Sequence, residues 1–205
     1  DFEKNLSLAE MLKESGKGYH SAFFGKGCTP LHWFKDHGYD ETDFIHKHPN
    51  GNAHGDWWEP AEKSPIPEDD PKRLFSLAKR SNEFLTKRAK DQKPFFLYIS
   101  HYALHVRNMS LKSTRRKYLD IVAERAGIKE KIPDISRFDA NANEMPPKLR
   151  NHWEKANYAA MMENMDTSIG MVLDKLSELG LEENTYVIFS SDNGGGATNA
   201  PLQGG

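Results

Sequence analysis

Cysteine is nearly absent: the 205 residues hold one, Cys28. A single thiol excludes an internal disulfide framework and a cysteine-rich zinc site. It does not fix the compartment, since an exported chain can lack disulfides. Long apolar runs are absent too; none approaches the ~18 residues that a spanning helix needs, so no membrane span is expected. Charge of one sign is also missing. The 28 Lys and Arg against 30 Asp and Glu leave a formal net charge of -2. Without a basic excess to engage a phosphate backbone, nucleic acid is not expected as a partner. The chain opens Asp1-Phe2-Glu3-Lys4, without an initiator Met or an apolar leader. It closes on Pro201-Leu202-Gln203-Gly204-Gly205, which is loop chemistry. Both ends carry the expectation of a fragment, truncated on each side.

What is present is a folding composition. The chain is 37% hydrophobic and 28% charged, with 11 Phe, 7 Tyr and 4 Trp, which argues against disorder. A chain of this size hides roughly 70% of its unfolded surface.

Ser7-Leu8-Ala9-Glu10 has the spacing of a capping box, with Leu8, Met11 and Leu12 at helical spacing and Ser15-Gly16 as the stop. Tyr19-His20-Ser21-Ala22-Phe23-Phe24 reads as a short strand ending in Gly25-Lys26-Gly27-Cys28. Residues 29–70 have little periodicity and read as an irregular excursion, of a length that is usually functional or linker-like. Asp70-Pro71 is a helix start, and Leu74, Leu77, Ala78, Phe84 and Leu85 line one side of a helix to about Lys90. Phe95-Phe96-Leu97-Tyr98-Ile99-Ser100 is a continuous apolar run, as in a sheet covered on both faces. It leads into His101-Tyr102-Ala103-Leu104-His105. A helix is predicted over 112–126 with Leu119, Val122 and Ala123 inward and Gly127 as its stop. Residues 127–150 read as a second irregular excursion. The strongest helical pattern runs from Trp153 to Leu179, with Gly180 placed as a terminating glycine. Thr185 to Ser190 is predicted as a third strand, emptying into Ser191-Asp192-Asn193-Gly194-Gly195-Gly196.

Helices alternating with apolar strands imply an α/β fold with a largely parallel sheet flanked by helices. Ligands in such sheets bind beyond the carboxyl ends of the strands. Each predicted strand ends in polar, small or ionisable residues. Singly these are ordinary: Lys26 as a solvated lysine, His101 and His105 as loop histidines, Asp192-Asn193-Gly194 as a turn. Their coincidence at three strand ends favours a site on one rim. The residue types suit an anion beside a hard cation. Asp192 and Asn193 offer oxygen donors for Ca²⁺ or Mg²⁺. Lys26 offers a compact positive charge. A histidine can protonate a leaving oxygen near neutral pH. Together they would stabilise charge on a transferring sulfate or phosphate.

These residues resemble a known family. Leu8 to Lys13, Tyr19 to Lys26, Pro94 to His105 and, most specifically, Tyr158-Ala159-Ala160-Met161-Met162-Glu163-Asn164-Met165-Asp166 through Ser191-Asp192-Asn193-Gly194 are similar to the type I sulfatases of the alkaline phosphatase superfamily. The similarity fails across about 29–93 and 107–150. On this resemblance, residues 1–205 are part of one sulfatase catalytic domain. It implies metal-dependent hydrolysis of a sulfate ester with Ca²⁺ (or Mg²⁺) and a formylglycine nucleophile. Lys26 and His105 would be catalytic and would contact the sulfate, with His101 a further substrate contact. Asp192 and Asn193 would be metal ligands. The substrate would be a sulfated small molecule or sulfated carbohydrate, and the location periplasmic or secreted.

The chain also departs from the family. The paired upstream aspartates and the Cys/Ser-x-Pro-x-Arg nucleophile motif are not in it, and a further lysine would fall beyond Gly205. Cys28 stands where the family usually has a histidine, and its context, Cys28-Thr29-Pro30-Leu31-His32, lacks the arginine of the nucleophile motif. The 205 residues alone are therefore expected to be inactive. Two other readings stay open: a phosphodiesterase or phosphonate hydrolase of the same superfamily, and a non-catalytic binder of sulfated glycans. Trp33, Trp57, Trp58, His46, His48 and His54 in the first excursion could stack on a sugar or be ordinary loop residues.

Overall fold

Ser7 starts the first helix, α1 (Leu8–Glu14), as its spacing predicts. Its Oγ accepts from the Glu10 N–H at 3.1 Å, and the Glu10 carboxylate accepts from the Ser7 N–H at 2.7 Å. Two donors that a helix start would orphan are thus satisfied reciprocally. The buried face of α1 differs from expectation: Leu8 and Met11 are exposed and Ala9 is buried. The Gly38 backbone packs so closely here that a Cβ on it would lie 2.6 Å from the Glu10 nitrogen. Only a small side chain fits beneath such a contact.

The computed structural model describes residues 5–27, 33–42, 66–105, 108–132, 145 and 147–194. A parallel three-stranded sheet lies at its centre, in the order β2-β1-β3. The strands are β1 (His20–Gly25), β2 (Glu41–Thr42) and β3 (Phe95–Ser100). β2 and a short helix, α2 (Trp33–Asp36), fall inside the first excursion. The side chains of β1 alternate between two apolar layers. Ala22 and Phe24 pack with Leu77, Phe84, Leu85 and Leu176. Phe23 faces the other way, with Ala9, Phe34 and Tyr39, its ring stacked on Phe34 at 3.9 Å.

The first layer is supplied by α3 (Leu74–Asp91) and α5 (Pro147–Glu178). All five residues predicted to line α3 are buried. A 3₁₀ turn, Pro71–Arg73, precedes α3, and Asp70 reaches past it: Oδ1 accepts from the N–H groups of Phe75 at 2.8 Å and Ser76 at 3.2 Å. α4 (Lys112–Arg125) lays Leu119 and Ala123 against Leu149, Trp153 and Ala156 of α5 in a second core. α5 begins at Pro147, earlier than the periodicity predicts. It ends as predicted: the Gly180 N–H donates to Ser177 O and the Leu181 N–H to Leu176 O, both at 2.9 Å, with Gly180 at φ 65. That pair of bonds closes the last turn and needs a residue tolerant of positive φ.

Two expectations about strands are corrected. β3 is not covered on both faces: Tyr98 is exposed and its neighbours half-buried. Among the described residues β3 is an edge strand, so it lacks the second neighbour that a fully buried run requires. Thr185 to Ser190 is not a sheet strand. Thr185 has extended φ/ψ of -130 and 121, but the segment pairs with no described strand. Tyr186 is 99% and Ile188 88% exposed. A strand is made by its partner, and among the described residues none pairs with this segment, although the outer edge of β3 is open.

Candidate functional site

The register of β1 on β3 builds the rim. His20 pairs with Phe95 and the ladder ends at Gly25 opposite Ser100. One bond carries on past the ladder: the Lys26 N–H donates to Ser100 O at 2.8 Å. Lys26 and His101 therefore leave the sheet side by side, at the carboxyl ends of adjacent parallel strands. Gly25 makes that closeness possible. Its φ is 104, and a Cβ there would stand 1.9 Å from Ser100 O. Only glycine combines this conformation with this approach.

His101 is partly buried, and burial pushes its imidazole down to about 4. It is thus neutral near pH 7 and acts as a hydrogen-bonding group rather than a cation. Tyr102 is buried. The backbone then turns, with the His105 N–H donating to Tyr102 O at 3.2 Å, and His105 stands exposed at the same end of the sheet. The structure thus brings Lys26 and His101 together, with His105 one turn further on. It does not bring Asp192 and Asn193 to this rim through the sheet. They are exposed in the unpaired segment, where Ser191 Oγ donates to Asn193 O at 2.7 Å. The convergence of three strand ends is corrected accordingly: the described rim is made by β1 and β3, beside the two-residue β2.

The oxygen donors of Asp192 and Asn193 have the chemistry for a hard cation, which takes about six to eight such ligands. Among the described residues no group of three or more His, Cys, Asp or Glu stands close enough to hold one. Cys28, His32, His46, His48, His54, Trp57, Trp58, Gly195 and Gly196 lie outside the described residues.

Sequence reasoning missed two features of this end of the fold. One is Lys72, fully buried in the 3₁₀ turn. Burial, reinforced by the positive charge of Lys26, pushes its ammonium down to about 8. A lone lysine after Asp-Pro gives no signal of that. The other is a polar strap between α5 and the segment after His105. Asn157 Nδ2 donates to Asn108 O at 2.9 Å, and its Oδ1 accepts from Ser110 Oγ at 2.7 Å. One repeat along the helix, Asn164 Oδ1 accepts from the Leu111 N–H at 2.8 Å, and its Nδ2 donates to Thr114 Oγ1 at 3.0 Å. Arg115 Nη1 donates to Ser110 O at 3.1 Å, with its guanidinium 5.8 Å from the centre of the Trp153 ring. Two asparagines seven apart on an otherwise apolar face were the available signal, since buried amides must find partners.

The fold so far is a parallel α/β sheet with Lys26, His101 and His105 at its carboxyl end. The family model described as Sulfatase matches residues 2–205. The chain belongs to the sulfatase family. It is 29% identical over 207 residues to an ulvan-active sulfatase of Formosa agariphila, covering 93% of this chain and 35% of that protein. It is 25% identical over 227 residues to an arylsulfatase of Klebsiella aerogenes, covering 94% of this chain and 48% of that one. Among solved structures, the crystal structure of Ps i-CgsB superposes with a TM-score of 0.56 at 19% identity, covering 96% of this chain and 43% of that one. The same protein has been solved in complex with k-i-k-neocarrahexaose. The chain thus spans about a third to a half of the length of these relatives. The structural likeness establishes the fold, an α/β sandwich of the alkaline phosphatase type.

Proposed function

We propose that the protein hydrolyses sulfate esters, with a sulfated carbohydrate as the leading substrate class and small sulfated molecules as the other. The observation that carries this reading is the placement of Lys26 and His101 directly after the paired Gly25 and Ser100 at the carboxyl rim, in a chain that the sulfatase family matches from residue 2 to 205. The names of the relatives, an ulvan-active sulfatase and a protein solved with an oligosaccharide, support the substrate class.

In this reading the Lys26 ammonium binds sulfate oxygens and draws off charge as the ester bond breaks. His105, exposed on its turn, contacts the sulfate and protonates the leaving oxygen. His101, held neutral, orients the sulfate by a hydrogen bond. Asp192 and Asn193 would hold the cation, Ca²⁺ or Mg²⁺, which supplies Lewis-acid polarisation of the sulfate when bound. The nucleophile is a formylglycine, whose motif is not among these residues. The 205 residues by themselves are therefore inactive, and the location is periplasmic or secreted. Among the described residues no helix is long and apolar enough to cross a membrane.

The test is turnover of 4-nitrophenyl sulfate by the full-length protein. Lys26→Ala and His105→Ala are each expected to lower kcat/KM by about 100-fold or more, the usual cost of losing one charge-stabilising or proton-donating group. Turnover unchanged in both variants would refute the assignment.

A further inference from the structure

We infer that a lysine-lined groove between α3 and α5 is a second binding site, which holds a sulfated carbohydrate chain away from the rim. The choice of a sulfated chain as its ligand rests on the sulfatase reading. The groove has a volume of about 450 Å³, within the range of about 300–1,000 Å³ that is usual for ligand sites. Lys79, Asn82, Glu83, Thr86 and Lys87 of α3 and Lys175 of α5 line it. On α3 the three charged positions are exposed, while Leu77, Ala78, Ser81, Phe84 and Leu85 go inward.

Two hydrogen bonds fix the groove. Asn82 Nδ2 donates to Met171 O of α5 at 3.1 Å, which ties the two helices together. Thr86 Oγ1 donates to Asn82 O at 2.7 Å, so its oxygen keeps lone pairs that can accept. The bond to a carbonyl decides which end of the Asn82 amide is the donor. The other end, Oδ1, is buried and receives no donor, and a buried acceptor left so is costly. A hydroxyl group of a seated ligand is the donor it lacks.

The charges select the ligand. Three ammonium groups stand with one carboxylate, Glu83, in a chain whose net charge is -2. Among the described residues Lys79 has no ion-pair partner. Lys87 has Glu41 at 3.7 Å and Lys175 has Glu178 at 2.5 Å, pairs of the solvent-facing kind that are weak and exchangeable. Lys79 and Lys87 are eight residues apart on α3, about 12 Å along its axis. One small anion cannot bridge that span, but a chain bearing sulfate groups at intervals can. Glu83 lies between them; it opposes a continuous polyanion and accepts from the free hydroxyls of a sugar. The groove also leads away from the rim. Near one end, Leu77 Cδ2 lies 3.4 Å from where a Gly25 Cβ would be. At the other, Lys87 meets Glu41, which pairs with Ala22, three residues earlier on β1.

The experiment is calorimetric titration of dextran sulfate, and of unsulfated dextran, into the full-length protein at one fixed salt concentration. The variant Lys79→Gln/Lys87→Gln/Lys175→Gln is compared with Lys129→Gln/Lys131→Gln/Lys155→Gln, which removes the same charge from exposed positions elsewhere. The groove variant is expected to bind dextran sulfate at least about tenfold more weakly than wild type, as three solvent-screened contacts are lost. The control variant is expected to stay within about twofold, since distant exposed charges are screened. The same difference is expected when both variants also carry Lys26→Ala, which disables the rim. Equal weakening in the two variants would overturn the inference. So would unsulfated dextran bound as tightly, or a difference that vanishes with Lys26→Ala. If the triple groove variant does not fold, Lys79→Gln/Lys87→Gln against Lys129→Gln/Lys155→Gln decides by the same criteria. Turnover of 4-nitrophenyl sulfate by wild type is assayed in parallel. Groove-dependent binding without turnover would uphold the site and defeat the sulfatase reading; turnover without groove-dependent binding would defeat the site alone.

Discussion

Replacing Gly25 with alanine tests how the rim is built. The new methyl would stand 1.9 Å from Ser100 O and 2.9 Å from the Ser100 carbonyl carbon, at a residue whose φ is 104. The backbone penalty for a non-glycine residue at such φ is about 1–2 kcal/mol. Forcing atoms into filled space adds about 1–3 kcal/mol. Relief means parting β1 from β3 and stretching the 2.8 Å bond from the Lys26 N–H to Ser100 O, worth about 1 kcal/mol. The expected loss is therefore about 2–5 kcal/mol, a large share of a typical stability of about 5–15 kcal/mol. Gly127 is the control. It also has positive φ, 64, but open space around its Cβ position, so Gly127→Ala should cost only about 1 kcal/mol. Urea denaturation of both variants, followed by circular dichroism, gives the comparison. The reasoning fails if Gly25→Ala is no more destabilising than Gly127→Ala. It also predicts that Gly25→Ala lowers turnover more than Gly127→Ala, because the clash displaces Lys26 from His101.

Two other outcomes are expected. His101 has a folded value of about 4 against 6.5 ordinarily, so the unfolded chain takes up the proton first. Stability from this group is complete above about pH 6.5 and lost as pH falls toward 4, with a ceiling of about 3 kcal/mol at 1.36 per unit; His101→Asn should flatten that part of the urea-midpoint profile between pH 4.5 and 7.5, and an unaltered profile would contradict the assignment. Asn164→Ala leaves the Leu111 N–H and Thr114 Oγ1 without their amide partner, at a cost of about 1–3 kcal/mol; a thermal midpoint within experimental error of wild type would show that the strap does not tie the segment after His105 to α5.

Local rules were legible wherever one residue type answers one local need. The Ser7–Glu10 box, the terminating Gly180 and the buried stripe Leu74-Leu77-Ala78-Phe84-Leu85 follow from hydrogen-bond satisfaction and helical period alone. The same period misjudged α1, where the approach of Gly38 decides that Ala9 rather than Leu8 goes inward. Strands were legible as segments but not as neighbours. Composition marks Phe95 to Ser100 and Thr185 to Ser190 alike, yet only the first meets a ladder in the described residues. Lys26 and His101 were readable as strand-end residues, and the register made them adjacent. Lys72 was not readable, because its burial arises in a left-handed turn with no glycine to announce it.

The central claim is that the Lys26 rim cleaves sulfate esters. Its most direct test is ion chromatography of the products after the full-length protein is incubated, with Ca²⁺, with a sulfated oligosaccharide and in parallel with a phosphodiester. The account predicts release of inorganic sulfate, abolished by Lys26→Ala. Cleavage of the phosphodiester with no release of sulfate would contradict it.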